Sequence, residues 1–217
     1  VAAAGSMVFV NTVVMVQAGF GLNQSAVALA LASFGAGSMV AALVLPRLLE
    51  KLADRRVMLG GIGLLVAGMF AGTLVVGHTS LLALWFVLGL GYSTAQTPSG
   101  RLLRRSSNPE DRPALIAAQF ASSHACWLLF YPLTGWLGVT FGMSVTFVVL
   151  GVSGALAVWA TLTVWPAIDP EVIEHEHPEL PAGHDHTRGA VANRGGVRHA
   201  HRFVVDDHHP HWPNMVR

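Results

Sequence analysis

Apolar residues run almost unbroken through three stretches of this chain, 1–46, 57–100 and 113–168, and none of the three contains Asp, Glu, Lys or Arg. One helical crossing of a bilayer takes ~20 residues, so each stretch has room for two crossings joined by a short uncharged turn. The pattern predicts six spans, at about 2–18, 25–49, 57–77, 81–103, 113–137 and 143–165, with tips at Gly19–Ser25, Gly77–Ser80 and Val139–Gly142. Beyond residue 168 the apolar runs stop and no helical or strand period persists.

Charge sharpens this picture. All eight Lys and Arg of the first 168 residues fall in two short clusters, Arg47–Arg56 and Arg101–Arg112, and the three tips hold none. Basic residues accumulate on the cytoplasmic side of membrane proteins, so the clusters, the N-terminal end and the tail are expected in the cytoplasm of a cell (inner) membrane. A composition of 53% hydrophobic and 12% charged residues argues against one soluble domain, where charged residues run at ~25%. Nothing in it points to a nucleic-acid partner; the lipid bilayer is the partner it demands. The start, Val-Ala-Ala-Ala-Gly, has no Met or basic flank and reads as a chain entered inside a helix. Cys126 is the one cysteine, expected to be a small packing residue within a span.

Local details follow from residue type. Ser25 can cap span two, and the Gly68-x-x-x-Gly72 spacing suits close helix packing. Trp85 and Trp136 are placed near the outer boundary and Trp165 near the inner one, where indole rings are favoured. Pro132 and Gly135 are expected to kink span five or to end its regular hydrogen bonding.

The loop after span two reads Pro46-Arg47-Leu48-Leu49-Glu50-Lys51-Leu52-Ala53-Asp54-Arg55-Arg56. Together with six spans and cytoplasmic ends, it resembles one half of a major facilitator superfamily transporter. In that family the loop reads roughly Gly-x-Leu-(small)-Asp-Lys/Arg-x-Gly-Arg-Arg. Leu48, Glu50, Lys51 and Arg55 fit, whereas Pro46, Leu49, Ala53 and Asp54 depart from it. The eroded form and the long tail resemble the C-terminal half. The resemblance implies a partner N-terminal six-helix half that is missing here, and a gating loop of Arg47, Glu50, Lys51, Asp54, Arg55 and Arg56. Such charges can latch one state of a rocking bundle, or they only anchor the topology.

Polar side chains within the spans are costly and therefore face a cavity or a partner. His124 is the titratable residue of that kind, and its face is shared by Phe120, Trp127, Leu128 and Tyr131. It either meets substrate or a coupling proton, or bonds a neighbouring helix. Asn11 and Gln17 in span one, Tyr92 and Gln96 in span four and Gln119 in span five are the other strongly polar groups. The resemblance implies that spans one and four line the central cavity, that two and five meet the other half, and that three and six give support outside.

The tail carries nine of the eleven histidines: His175, His177, His184, His186, His199, His201, His208, His209 and His211. In an extended chain, residues two apart project to one side, so a His-x-His pair can offer two nitrogens to one ion, and imidazole suits Ni, Zn and Cu. The pattern lacks the fixed spacing and cysteines of a structural zinc site. Loose Ni or Zn binding is one reading, and a pH-sensitive solvated tail is another.

The expectation is an all-α membrane protein, with six transmembrane helices in 1–165 forming one half of a major facilitator bundle and a disordered His-rich tail in 166–217. It would be a secondary active transporter rather than an enzyme, moving a small molecule or ion by alternating access, with proton-coupled export implied by the resemblance and no cofactor required. The alternative is a membrane-anchored metal sensor or scaffold acting through the tail.

Overall fold

A computed structural model describes residues 1–165 and, in the tail, 172–177, 191–193, 196–205 and 209. Seven α-helices come first: α1 (Ala2–Val13), α2 (Gln24–Lys51), α3 (Asp54–Ala71), α4 (His78–Gln96), α5 (Ser99–Arg105), α6 (Arg112–Phe141) and α7 (Met143–Val164). A π-helical turn, Val14–Gly19, extends α1, and a 3₁₀ turn, Gly72–Leu74, extends α3. Five segments, Ala2–Gly19, Gln24–Lys51, Asp54–Leu74, Arg112–Phe141 and Met143–Val164, are long and apolar enough to cross a membrane. The remaining expected crossing corresponds to α4. Its 19 residues carry His78, Tyr92 and Gln96, which dilute its apolar character.

The helix boundaries follow turn chemistry. Asn23, rather than Ser25, caps α2: its side chain accepts a hydrogen bond from the Ala26 N–H at 3.1 Å. Gly142, at φ +83°, makes the turn between α6 and α7, a left-handed conformation that glycine adopts without steric cost. Span four ends earlier than expected, because Thr97 and Pro98 form a turn that separates α4 from α5. Pro132 does not end α6, which runs helically through it and through Gly135 to Phe141.

The core sits around α1 and α4. Met7, Val8, Leu81, Trp85, Leu88, Phe147 and Leu150 are fully or almost fully buried there. α2 and α4 make the most extensive helix–helix contact, at a crossing that depends on two glycines. A Cβ on Gly37 would overlap the Phe86 carbonyl, and one on Gly89 would overlap the Phe34 carbonyl. Ser33 Oγ and Ser38 Oγ then donate across the same crossing to the Leu82 and Gly89 carbonyls, at 2.8 and 3.1 Å. Gly68 and Gly72 serve different neighbours, Leu88 of α4 and Phe147 of α7, so that spacing does not form one seam.

Trp85 is fully buried, with its Nε1 donating to Thr12 Oγ1 at 2.7 Å. Cys126 is exposed on α6.

In the tail, three strands appear where the sequence shows no sustained period: β1 (Val172–His177), β2 (Val191–Asn193) and β3 (Gly196–Arg202), antiparallel in the order β1-β3-β2. The chain after β3 is tied to the bundle by a bond from the Val205 N–H to the Arg105 carbonyl, 3.0 Å. Ile173, Phe203 and Val205 form a small buried cluster of their own.

Candidate functional site

α1 and α6 are held together in the region of Thr134. Ser6 Oγ and Thr134 Oγ1 share a hydrogen bond of 2.7 Å, and Asn11 Nδ2 donates to the Thr134 carbonyl at 3.3 Å. Asn11 is thus buried between helices and bonded within the chain. Toward Arg112 the two helices part, and a cavity of about 350 Å³ opens between the start of α1, the end of α4 and α6. Its lining side chains include Gln96, Gln119, Ser122, Ser123, Cys126 and Trp127, and none of the lining residues is Asp, Glu, Lys or Arg.

The α6 residues of this wall, Gln119, Ser122, Ser123 and Cys126, follow an i, i+3, i+4, i+7 spacing, which puts them on one helix face. Trp127 stands at the wall's end, and its ring is tilted against Tyr131 at 5.0 Å and Phe9 at 6.0 Å. Gly5 makes room for it, because a Cβ there would overlap the indole. The result is a largely apolar pocket, free of Asp, Glu, Lys and Arg, that carries two amides, two hydroxyls and one aromatic wall and can take a solute with several hydroxyl or carbonyl groups. Few, well-placed polar groups beside an aromatic surface are what a small-molecule site generally offers.

Of the residues expected to contact substrate, Gln96 and Gln119 line this cavity and the others do not. Tyr92 packs edge-on against Phe34 at 5.5 Å. His124 is exposed beyond the pocket wall, stacked on Phe120 at 3.8 Å, with Nδ1 within 2.9 Å of the Phe120 carbonyl. Gln17 bonds Gln24 at the first tip. Ser122 and Ser123 were not singled out from the sequence and Cys126 was read as a packing residue, although the spacing that joins them to Gln119 was there to be read.

A second cluster lies at the first turn of α3. Asp54 is buried at the first turn of α3, where the helix dipole favours an acid. Arg101 of α5 grips it with one hydrogen bond, Nε to Oδ2 at 3.0 Å, and an ion-pair contact of Nη2 with Oδ1 at 2.8 Å. Arg55 Nη2 donates to the Trp165 carbonyl at 3.2 Å, so that α3 is also tied to the end of α7. Arg47, Glu50, Lys51 and Arg56 of the expected gating loop are exposed. The ion pair therefore joins the two basic clusters, and the partner the sequence left unassigned is Arg101. Of the tail histidines expected to bind metal, His184, His186, His208 and His211 lie outside the described residues.

The long apolar helices define a multi-pass membrane protein. The family model described as Major Facilitator Superfamily matches residues 1–204, and the chain belongs to that superfamily. It is also 30% identical over 115 residues to a probable galactarate/D-glucarate transporter of Bacillus subtilis, a match covering 52% of this chain. That match spans 25% of the relative's length.

Proposed function

We propose that the chain is the C-terminal six-helix half of a secondary active transporter that moves a small hydroxylated organic solute by alternating access. The observation that carries this reading is the neutral wall of Gln119, Ser122, Ser123 and Trp127 facing Gln96 across one cavity. Amides and hydroxyls can exchange hydrogen bonds with a polyol or sugar acid, while the indole covers its apolar face. The sugar-acid transporter among its relatives supports the same solute class. A second six-helix half would cover the exposed faces of α2 and α6 and supply the remaining contacts, including any cation that a carboxylate needs.

The Asp54–Arg101 pair is the latch of this reading, closed in the present conformation and released in the alternate one. The basic clusters and the tail face the cytoplasm of the inner membrane, by the positive-inside asymmetry of the loops. Proton-coupled export is the mode that the family resemblance implies, with His124 as the titratable group available within the spans.

Transport assays on proteoliposomes carrying the product of the full-length gene test the proposal. Labelled D-glucarate and galactarate lead a panel of hydroxylated acids, with an imposed pH gradient of either sign. Gln96→Ala and Gln119→Ala should each raise the half-saturating concentration about tenfold, the cost of a lost hydrogen bond at a buried polar site. Transport unchanged with both glutamines removed would exclude this cavity as the solute site.

A further inference from the structure

A helix leaves its last four carbonyls without partners of its own, and α5 shows where each of its four goes. The Leu102 carbonyl accepts from the Ser106 N–H at 3.0 Å, and the Leu103 carbonyl from Ser107 Oγ at 2.6 Å. The Arg104 carbonyl accepts from Arg112 Nη2 at 3.4 Å. These three donors belong to the stretch that follows α5 directly. The fourth does not: the Arg105 carbonyl accepts from the Val205 N–H of the tail, at 3.0 Å. Both sides of that bond are shut away from solvent, since Arg105, Phe203 and Val205 are all buried.

The tail is held at its origin as well. Arg55, next to Asp54 in the first turn of α3, donates through Nη2 to the Trp165 carbonyl at the end of α7. The ladder of β1 and β3 then pairs Val172, soon after Trp165, with Arg202, shortly before Val205. Ile173, Phe203 and Val205 close the root of this ladder as one buried apolar cluster. The tail thus leaves from a residue tied to α3 and returns to a residue tied to α5. Those are the two helices that the Asp54–Arg101 pair joins, and Arg105 stands one turn beyond Arg101 on α5.

We propose that the tail is an autoinhibitory strap. Through Val205 on α5 and Trp165 beside α3, it holds the two helices together and favours the state in which the Asp54–Arg101 pair is closed. This rests on the reading of that pair as the latch of alternating access. A contact made in one of two states draws the population toward that state. The strap does so from outside the solute pocket, so it sets how often the latch opens and not what the pocket holds.

Pulsed electron–electron distance measurements on the full-length gene product in detergent test the strap. Native cysteines are replaced by serine, and spin labels are placed at Arg56 and Arg104, exposed residues of α3 and α5. With the native tail the labels should give mainly one separation. Val205→Pro, which removes only the N–H donor, and truncation after Trp165 should each enlarge a longer-distance population about threefold or more, as should Asp54→Asn. Helical circular dichroism should be kept in all three. A shift in Asp54→Asn with none in Val205→Pro or in the truncated chain would overturn the strap and leave the latch standing. No shift in any variant would overturn both. Shifts on releasing the tail without one in Asp54→Asn would keep the strap as a tie between α3 and α5 and remove the latch. Loss of the helical signal on truncation would make the tail a folding element and overturn its role as a regulator.

Discussion

α4 and α6 are both apolar helices of the same bundle, yet one is enclosed and the other open. α4 is wedged between α2 and α3: Gly89 lets α2 approach, and Gly91 lies against Gly61 of α3. Its large residues Leu81, Trp85 and Leu88 have no exposed surface. α6 has no buried residue in its most apolar window, and Phe120, Leu128, Leu129 and Trp136 stand largely exposed. Lipid is as apolar as leucine, so exposure of this kind costs a membrane helix little. The difference teaches that hydropathy alone does not tell a core helix from a peripheral one. Small residues and satisfied polar groups do.

Substitutions on the two helices should break this comparison or sharpen it. The largest effect is expected at Trp85, where truncation to Ala leaves a cavity and removes the indole bond that Thr12 Oγ1 accepts; about 3 kcal/mol of stability should be lost, read from thermal unfolding in detergent. A similar loss from Leu128→Ala would contradict the enclosed-versus-open distinction. Gly89→Leu should cost about 2 kcal/mol through overpacking against α2, and the same change at Gly63, which has open space around it, should cost little. Asp54→Asn should destabilise by about 2 kcal/mol by leaving Arg101 without its carboxylate. Charge reversal in D54R/R101D should recover part of that loss, and no recovery would argue against the pair as the tie between α3 and α5. Gly5→Ala should displace the Trp127 ring, seen as a shift in tryptophan fluorescence with little change in stability. The smallest effect belongs to Leu128→Ala and Leu129→Ala on the open face, within about 0.5 kcal/mol.

Much of the fold was legible because charge is so costly in lipid. The helices begin and end close to where the three uncharged stretches imply, with tips at Phe20–Asn23, Val75–Gly77 and Gly142. Contacts distant in sequence were not legible. The partner of the Trp85 indole was not legible, because Thr12 lies 73 residues away and only the fold brings it near. Asp54 was read with its loop neighbours, whereas its partner is 47 residues on. Pro132 does not end its helix, which continues through it to Phe141. In the pocket, Gln96 and Gln119 were legible as costly polar groups. Ser122 was passed over and Cys126 was read as packing, because small residues in a span usually are.

The length of α6 has one further consequence. Its 30 residues rise ~45 Å, about half as long again as the ~30 Å of hydrocarbon in a typical bilayer. An upright α6 would carry its ends through both headgroup layers; a tilted one would shorten that overhang. Counted from Arg112, the Gln119–Ser123 wall begins only ~10 Å along the axis, close beneath one headgroup layer and far from the other. A thinner or thicker membrane would alter the helix's lean, and with it the depth at which a dissolved molecule first meets those amides.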